Sequence, residues 1–252
     1  TLGALTLSAT GVAPIVGTAS PTLGALTLVA TETIGGSLNS GTKSNAYRTS
    51  GMVTYDGFSA CVWVYLRDRA YRLPVGMAEA VGGTSYDRWA IETDGTCRVA
   101  HGAGGASGST TVPLDTWVHI GYKRIGNTLS IYLNGTLEAT SAGAPTFTKS
   151  VDRFCGEYDT NVPNHAFAAL KMWNADLSGA EFAAEMYGYA AVRTADLHTV
   201  TRFTTDTDMD NEVGGGTDWT NENLTTHNDV PDFLVFAKLP LFIHHYRQQG
   251  FM

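Results

Sequence analysis

The sequence predicts an all-β fold, an antiparallel two-layer sandwich with one short helix, preceded by a repeat arm and followed by a C-terminal extension. Three observations predict it. The composition is that of strands and turns, with 28 Gly, abundant Ser and Thr, and only 16% charged residues. Residues 58–66 (FSACVWVYL) form a near-continuous apolar run, the pattern of a central strand. Residues 115–135 (DTWVHIGYKRIGNTLSIYLNG) read as a hairpin: an aromatic and β-branched run, a Gly126-Asn127 turn, then Leu129, Ile131 and Leu133 alternating with Ser130, Tyr132 and Asn134. Asn134-Gly135, a dipeptide that tolerates positive φ, closes the second strand.

At 252 residues and 43% hydrophobic content the chain can bury a substantial core, and one main domain with extensions is expected. A net charge of −8 and the lack of any basic cluster argue against nucleic acid or an anionic membrane as partner. No apolar run reaches 18 residues; the greasy stretch 233–243 is interrupted by Lys238 and Pro240, so no membrane insertion is expected. The chain starts without Met or a basic-then-apolar leader, so either processing has removed one or the sequence begins partway through a longer product.

In chain order, residues 1–36 are expected to form an arm. TLGALTLSAT at Thr1 to Thr10 recurs as TLGALTLVAT at Thr22 to Thr31 with one difference, and residues this small bury little without neighbours or other copies of the chain. A flexible linker is the competing reading, because the same residues make linkers. Gly35-Gly36 marks the boundary with a domain over 37–192. Within it, residues 88–100 read as a hairpin around an Asp94-Gly95 turn, 102–109 as a loop too rich in glycine to be a strand, and 153–156 and 167–173 as further strands. Ser178 and Glu181 have capping-box spacing ahead of Phe182, Met186 and Tyr187, which predicts a short helix ending near Gly188. In 193–252, HTVTRFTT suits one more strand, and 232–246 form an apolar segment that folds back on the sandwich or docks on a neighbour.

The order of these elements resembles the laminin-G-like branch of the concanavalin A-like lectin/glucanase jelly rolls. FSACVWVYL, a W-x-I-x-T-D-G hairpin, the 115–135 hairpin ending in Tyr-x-Asn-Gly, and FAALKMWNADLSGAEFAAEMY follow one another as in that family. Ala168 stands where the family often has an acidic residue, which puts a metal at that position in doubt. The repeat arm is similar to repeats in structural proteins of tailed bacteriophages. These resemblances imply a non-enzymatic virion protein of the fibre, collar or capsid-decoration type, self-associating as a homo-oligomer with other virion proteins. The alternative they imply is an extracellular adhesin for host surface polysaccharide, and a divergent glycosidase is the third.

Individual residues carry narrower expectations. A glycosidase of this superfamily needs two carboxylates in E-x-D-x-x-E, and in 157–162 Val162 replaces the second Glu. The histidines are scattered, and the adjacent His244 and His245 would point to opposite faces of a strand. Among the aromatic residues, alternation singles out Tyr132 as outward-facing, beside Asn134; together with Gly104, Gly105 and Ser107 of the glycine-rich loop it forms the expected glycan-binding set. Asp206, Asp208 and Asp210 alternate as Ca2+ ligands would, although Asn211 and Thr217 break the helix-loop-helix pattern. No other cofactor is expected. Cys61, Cys97 and Cys155 either pack as small hydrophobes or supply an inter-subunit disulfide.

Overall fold

The computed structural model describes residues 34–36, 45–54, 57–80, 86–102, 104–144, 149–154, 163–203, 209–213, 218–222 and 225–227. Among the described residues, fifteen strands run in chain order: β1 Ile34–Gly36, β2 Asn45–Thr54, β3 Gly57–Leu66, β4 Leu73–Ala80, β5 Tyr86–Ile91, β6 Thr96–His101, β7 Gly104–Thr111, β8 Trp117–Ile125, β9 Thr128–Leu133, β10 Thr136–Ser141, β11 Lys149–Phe154, β12 His165–Trp173, β13 Leu197–Thr201, β14 Thr220–Glu222 and β15 Thr225–His227. The helix α1 at Gly179–Ala184 continues as a 3-10 turn over Glu185–Tyr187. The strands form a six-stranded sheet, β10-β9-β8-β3-β12-β13, a seven-stranded sheet, β14-β2-β11-β4-β5-β6-β7, and the small pair β1-β15. The pairings are antiparallel, so the fold is the β-sandwich jelly roll expected.

The hairpin at 115–135 is β8 and β9, and its register is set by turn chemistry. Gly126 at φ +54° opens a two-residue loop to β9, while Asn134 (φ +48°) and Gly135 (φ +78°) supply the two left-handed residues of the turn to β10. Asn134 is fastened as well as permissive: its Oδ1 accepts from the His119 N–H at 2.9 Å. The glycine-rich stretch forms strand β7, paired with β6, rather than the loop expected. Glycine fits because neighbours crowd the backbone: a Cβ on Gly104 would lie 2.5 Å from the His101 ring and one on Gly105 2.6 Å from the Val99 carbonyl.

Alternation sorts β3 and β8 into two faces. Phe58, Val62, Val64, Val118, Ile120 and Tyr122 point between the sheets to meet Trp89, Ile91, Val99 and Phe154. Trp89 stacks on Tyr122 at 4.4 Å, with Phe58 edge-on to both. Burying such rings contributes several kcal/mol, on the order of 25 cal/mol per Å² of apolar surface. Asp87 and Arg124 form an ion pair inside this core, and burial pushes the Asp87 carboxyl up to about 6 although Arg124 and His101 pull it down.

The opposite face of the six-stranded sheet is covered by the segment from Asn174 to Arg193. Ser178 and Glu181 make the predicted capping box, and Phe182 is driven onto Tyr132, Cys61 and Trp173. Gly121 makes room for it: a Cβ there would sit 2.7 Å from the Phe182 ring. Beneath the 3-10 turn, Lys171 donates to the Glu185 carboxylate and carbonyl, both at 2.9 Å, with both side chains 1% exposed. Gly121→Ala should lower stability by about 1–3 kcal/mol in urea unfolding, because Phe182 must shift within a filled space. Glu185→Gln, which leaves the Lys171 ammonium without its counter-charge, should cost about 3–5 kcal/mol in the same assay.

Candidate functional site

Cross-strand pairs lie along the covered face of β3 and β8 in the order Ser59–Lys123, Cys61–Gly121, Trp63–His119 and Tyr65–Trp117. The cover treats them unequally. Ser59 donates to the Ala175 carbonyl and accepts from the Leu177 N–H, and Lys123 donates to Asp176 and to the Leu177 carbonyl. Tyr189 and Met186 then pack on Trp63, Ala168 and Ala169, leaving Trp63 8% exposed. At the far end Tyr65 and Trp117 are only half-buried. Their ring centroids are 5.4 Å apart, and the Arg67 guanidinium lies 5.5 Å from the centre of the Tyr65 ring.

Charged groups lie on the segments that carry these rings. Asp115, exposed, at φ +52° and two residues before Trp117, donates its N–H to the Leu66 carbonyl. Asp68 accepts from the Asn164 N–H and from the Ala70 N–H, anchoring the loop that follows Arg67. Arg202 lies 5.8 Å from the Tyr189 ring and pairs with Glu212. Aromatic faces with carboxylate and guanidinium groups around them suit a ligand that has both apolar C–H faces and hydroxyl groups.

The expected glycan set is placed differently. Tyr132 does lie on the face opposite Leu129, Ile131 and Leu133, but it is 7% exposed because the Phe182 ring sits 4.7 Å away. This corrects its expected role: Tyr132 is a packing residue under α1. Asn134 is exposed, with its Oδ1 already accepting from His119. Gly104, Gly105 and Ser107 lie on edge strand β7, across the molecule's second sheet from the rings, so the set is not brought together. Trp117 and Tyr65 are the half-buried rings of this face instead. Their ring type was visible in the sequence, but their exposure depends on where the 174–193 cover stops.

Other chemistry-bearing groups have structural settings. His101 Nε2 lies 3.0 Å from Ser141 Oγ and Asp87 faces His101 across β5 and β6. Ser141 is only 7% exposed and Asp87 is held by Arg124, so His101 on β6 ties the seven-stranded sheet to edge strand β10, and the Thr110 N–H to Glu138 bond joins β7 to the same edge. Cys61 and Cys97 are free, fully buried thiols, both pushed up to about 12 chiefly by burial. Cys155, Asp206, Asp208, the 157–162 motif, His244, His245 and the 1–31 repeat lie outside the described residues. Asp210 is exposed, and among the described residues no group of three or more His, Cys, Asp or Glu is placed to hold a metal ion. Asn211 in that stretch caps β13, accepting from the Val200 N–H.

Comparison with known proteins agrees with this architecture. The family described as the concanavalin A-like lectin/glucanases superfamily matches residues 39–182. A crystal structure of a Bacteroides ovatus protein, provisionally described as carbohydrate-binding, superposes with a TM-score of 0.58 at 14% identity, covering 80% of this chain and 62% of that one. The chain therefore spans less than two thirds of that protein. A heptameric SAP-like pentraxin from Limulus polyphemus superposes with a TM-score of 0.54 at 11% identity, covering 79% of this chain and 97% of that one. The chain matches no curated protein sequence.

His119, beside Trp63 under the cover, gives this face an acid response. Burial, helped by Lys171, holds its imidazole down at about 3. The unfolded chain takes up a proton near pH 6.5 and the folded one does not, so stability is present above pH 6.5 and is lost as pH falls toward 3, by up to about 5 kcal/mol. Asp87 has the opposite sign, since its raised carboxyl favours the folded state at low pH and that contribution fades through pH 6. Replacing His119→Gln removes only the first effect. Urea midpoints measured from pH 7 to pH 3.5 should show the parent losing stability relative to the variant throughout the descent.

Proposed function

We propose a carbohydrate-binding role for this chain, which belongs to the concanavalin A-like lectin/glucanases superfamily. The observation that carries the reading is the half-buried Tyr65–Trp117 pair at the end of this ladder, where Trp117 packs against the Trp63–Tyr189 cluster. A pyranose presents a face of C–H groups to an aromatic ring, whose face is the negative part of its quadrupole, and directs its hydroxyls sideways. The Arg67 guanidinium lies against the Tyr65 ring and the exposed Asp115 precedes Trp117 by two residues, a donor and an acceptor for those hydroxyls. The role is binding without turnover, since one complete carboxylate pair is the minimum for glycoside hydrolysis and the 157–162 motif has Val162 in place of the second.

The repeat at residues 1–31 supports a second, compatible reading about setting. Small-residue copies that bury little alone suit self-assembly, so the domain would be displayed by a homo-oligomeric, virion-type structural protein facing a host surface polysaccharide. Size-exclusion chromatography with light scattering tests this part separately, and a monomer at micromolar concentration would overturn it.

A glycan array followed by titration calorimetry tests binding. Trp117→Ala and Tyr65→Ala should each weaken binding by about tenfold or more, roughly 1.4 kcal/mol. Tyr187→Ala, at a ring 71% exposed on the cover itself, should leave affinity unchanged. Equal loss from all three variants would sink the assignment of the site.

A further inference from the structure

The buried Lys171–Glu185 pair holds an amine and a carboxyl group in the arrangement of two reactants. Lys171 Nζ lies 2.9 Å from Glu185 Oε2, and both side chains are 1% exposed. The Cδ carbon is one C–O bond beyond Oε2, so it lies within about 4.2 Å of Nζ. Reaching a near-attack separation of about 3–3.5 Å leaves about 1 Å to close. The carboxylate oxygens also face backbone donors: Oε1 accepts the Arg193 N–H at 2.7 Å, and Oε2 accepts the Val192 N–H at 3.1 Å. Fixed donors so placed stabilise the oxyanion of a tetrahedral intermediate.

The surroundings favour an uncharged product. Cys61 is the cross-strand partner of Lys171, and burial keeps it a thiol, pushed up to about 12. His119, on the same face of the sheet, is held down at about 3 and is an uncharged imidazole. An amide between Nζ and Cδ retains two bonds of the ion pair. Its N–H donates to the Glu185 carbonyl, to which Nζ already donates at 2.9 Å, and its carbonyl oxygen accepts the Arg193 N–H. Two buried charges disappear, and with them the desolvation cost that the ion pair has to offset.

We propose that Lys171 and Glu185 condense into an isopeptide bond that fastens the cover to β12. The ammonium passes one proton to Oε2 along their hydrogen bond, which leaves an amine facing a carboxylic acid. The Nζ lone pair attacks Cδ and forms the C–N bond, and the Cδ–Oε1 π pair moves onto Oε1, beside the Arg193 N–H. A second proton moves from Nζ to the Oε2 hydroxyl, the electron pair on Oε1 returns, and the Cδ–Oε2 bond breaks to release water. One ammonium and one carboxylate become one amide and one water, so the step balances without a co-reactant. It does not depend on the carbohydrate-binding reading.

Mass spectrometry of the full chain tests this. The denatured protein should be lighter than its sequence by one water, about 18 Da. Trypsin cuts an unlinked chain after Lys171 and yields residues 154–171 and 172–193. It does not cut after an acylated lysine, so 154–193 should appear as one peptide, lighter by one water, with no fragment ions arising between residues 171 and 185. Lys171→Arg keeps a cation beside Glu185 but offers a guanidinium that does not acylate, and its intact mass should equal its sequence mass. The peptide map of the parent locates the bond even if that variant does not fold. Full intact mass with cleavage after Lys171, or a water lost outside 171–185, would overturn the proposal.

Discussion

The Lys171–Glu185 ion pair is the constraint on which the covered face depends. Taking an ammonium and a carboxylate out of water costs several kcal/mol per ion, and the cost is offset only where geometry and hydrogen bonding are complete. Here they are. Besides Lys171, the Glu185 carboxylate accepts the Val192 N–H at 3.1 Å and the Arg193 N–H at 2.7 Å, and the Lys171 ammonium also donates to the Glu185 carbonyl. A charge on β12 thus ties down both the 3-10 turn and the irregular return after it. Arg193 continues the tie by donating to Glu181 and by accepting at its carbonyl from the Trp173 indole.

A cover held so firmly has a defined end, and that end creates the site. Cys61 and Gly121 lie against Phe182 and Trp63 packs with Tyr189, while Trp117, one pair further along the same strands, packs at the border of that cluster and, like Tyr65, stays half-buried. Ala168 and Ala169 contribute through a bulge in β12, with Ala169 at φ +54° and its N–H donated to the Arg202 carbonyl. Two small side chains side by side leave room for Tyr189 above them. The strained alanine costs on the order of 1–2 kcal/mol and is kept because the surrounding packing requires it.

The two sheets divide the work. The seven-stranded sheet meets the six-stranded one through a ring cluster of Trp89, Tyr122, Phe58 and Phe154, and the edges β7 and β10 are closed by His101–Ser141 and by Glu138. The glycines of β7 serve this closure: Gly108 admits Glu138, and Gly104 admits the His101 ring. A glycine-rich stretch read as a polar rim is therefore a place where side chains from two strands must pass close to a backbone.

Local pattern in the sequence determined the strand-and-turn class, the β8–β9 hairpin with its two turns, the Asp94-Gly95 hairpin and the capping box, because each depends on residues a few positions apart. Alternation even assigned Tyr132 to the correct face of its strand. It could not say what lies over that face. Tyr132 and Trp117 occupy the same side of the sheet, and only the placement of residues 174–193, more than forty positions away, buries the first under Phe182 and leaves the second half-open. That placement follows from Lys171 finding Glu185, a pairing between a strand and a helix end that no periodicity records. Exposure, and with it the site, was decided by tertiary packing because burial belongs to the pair of surfaces that meet and not to either one.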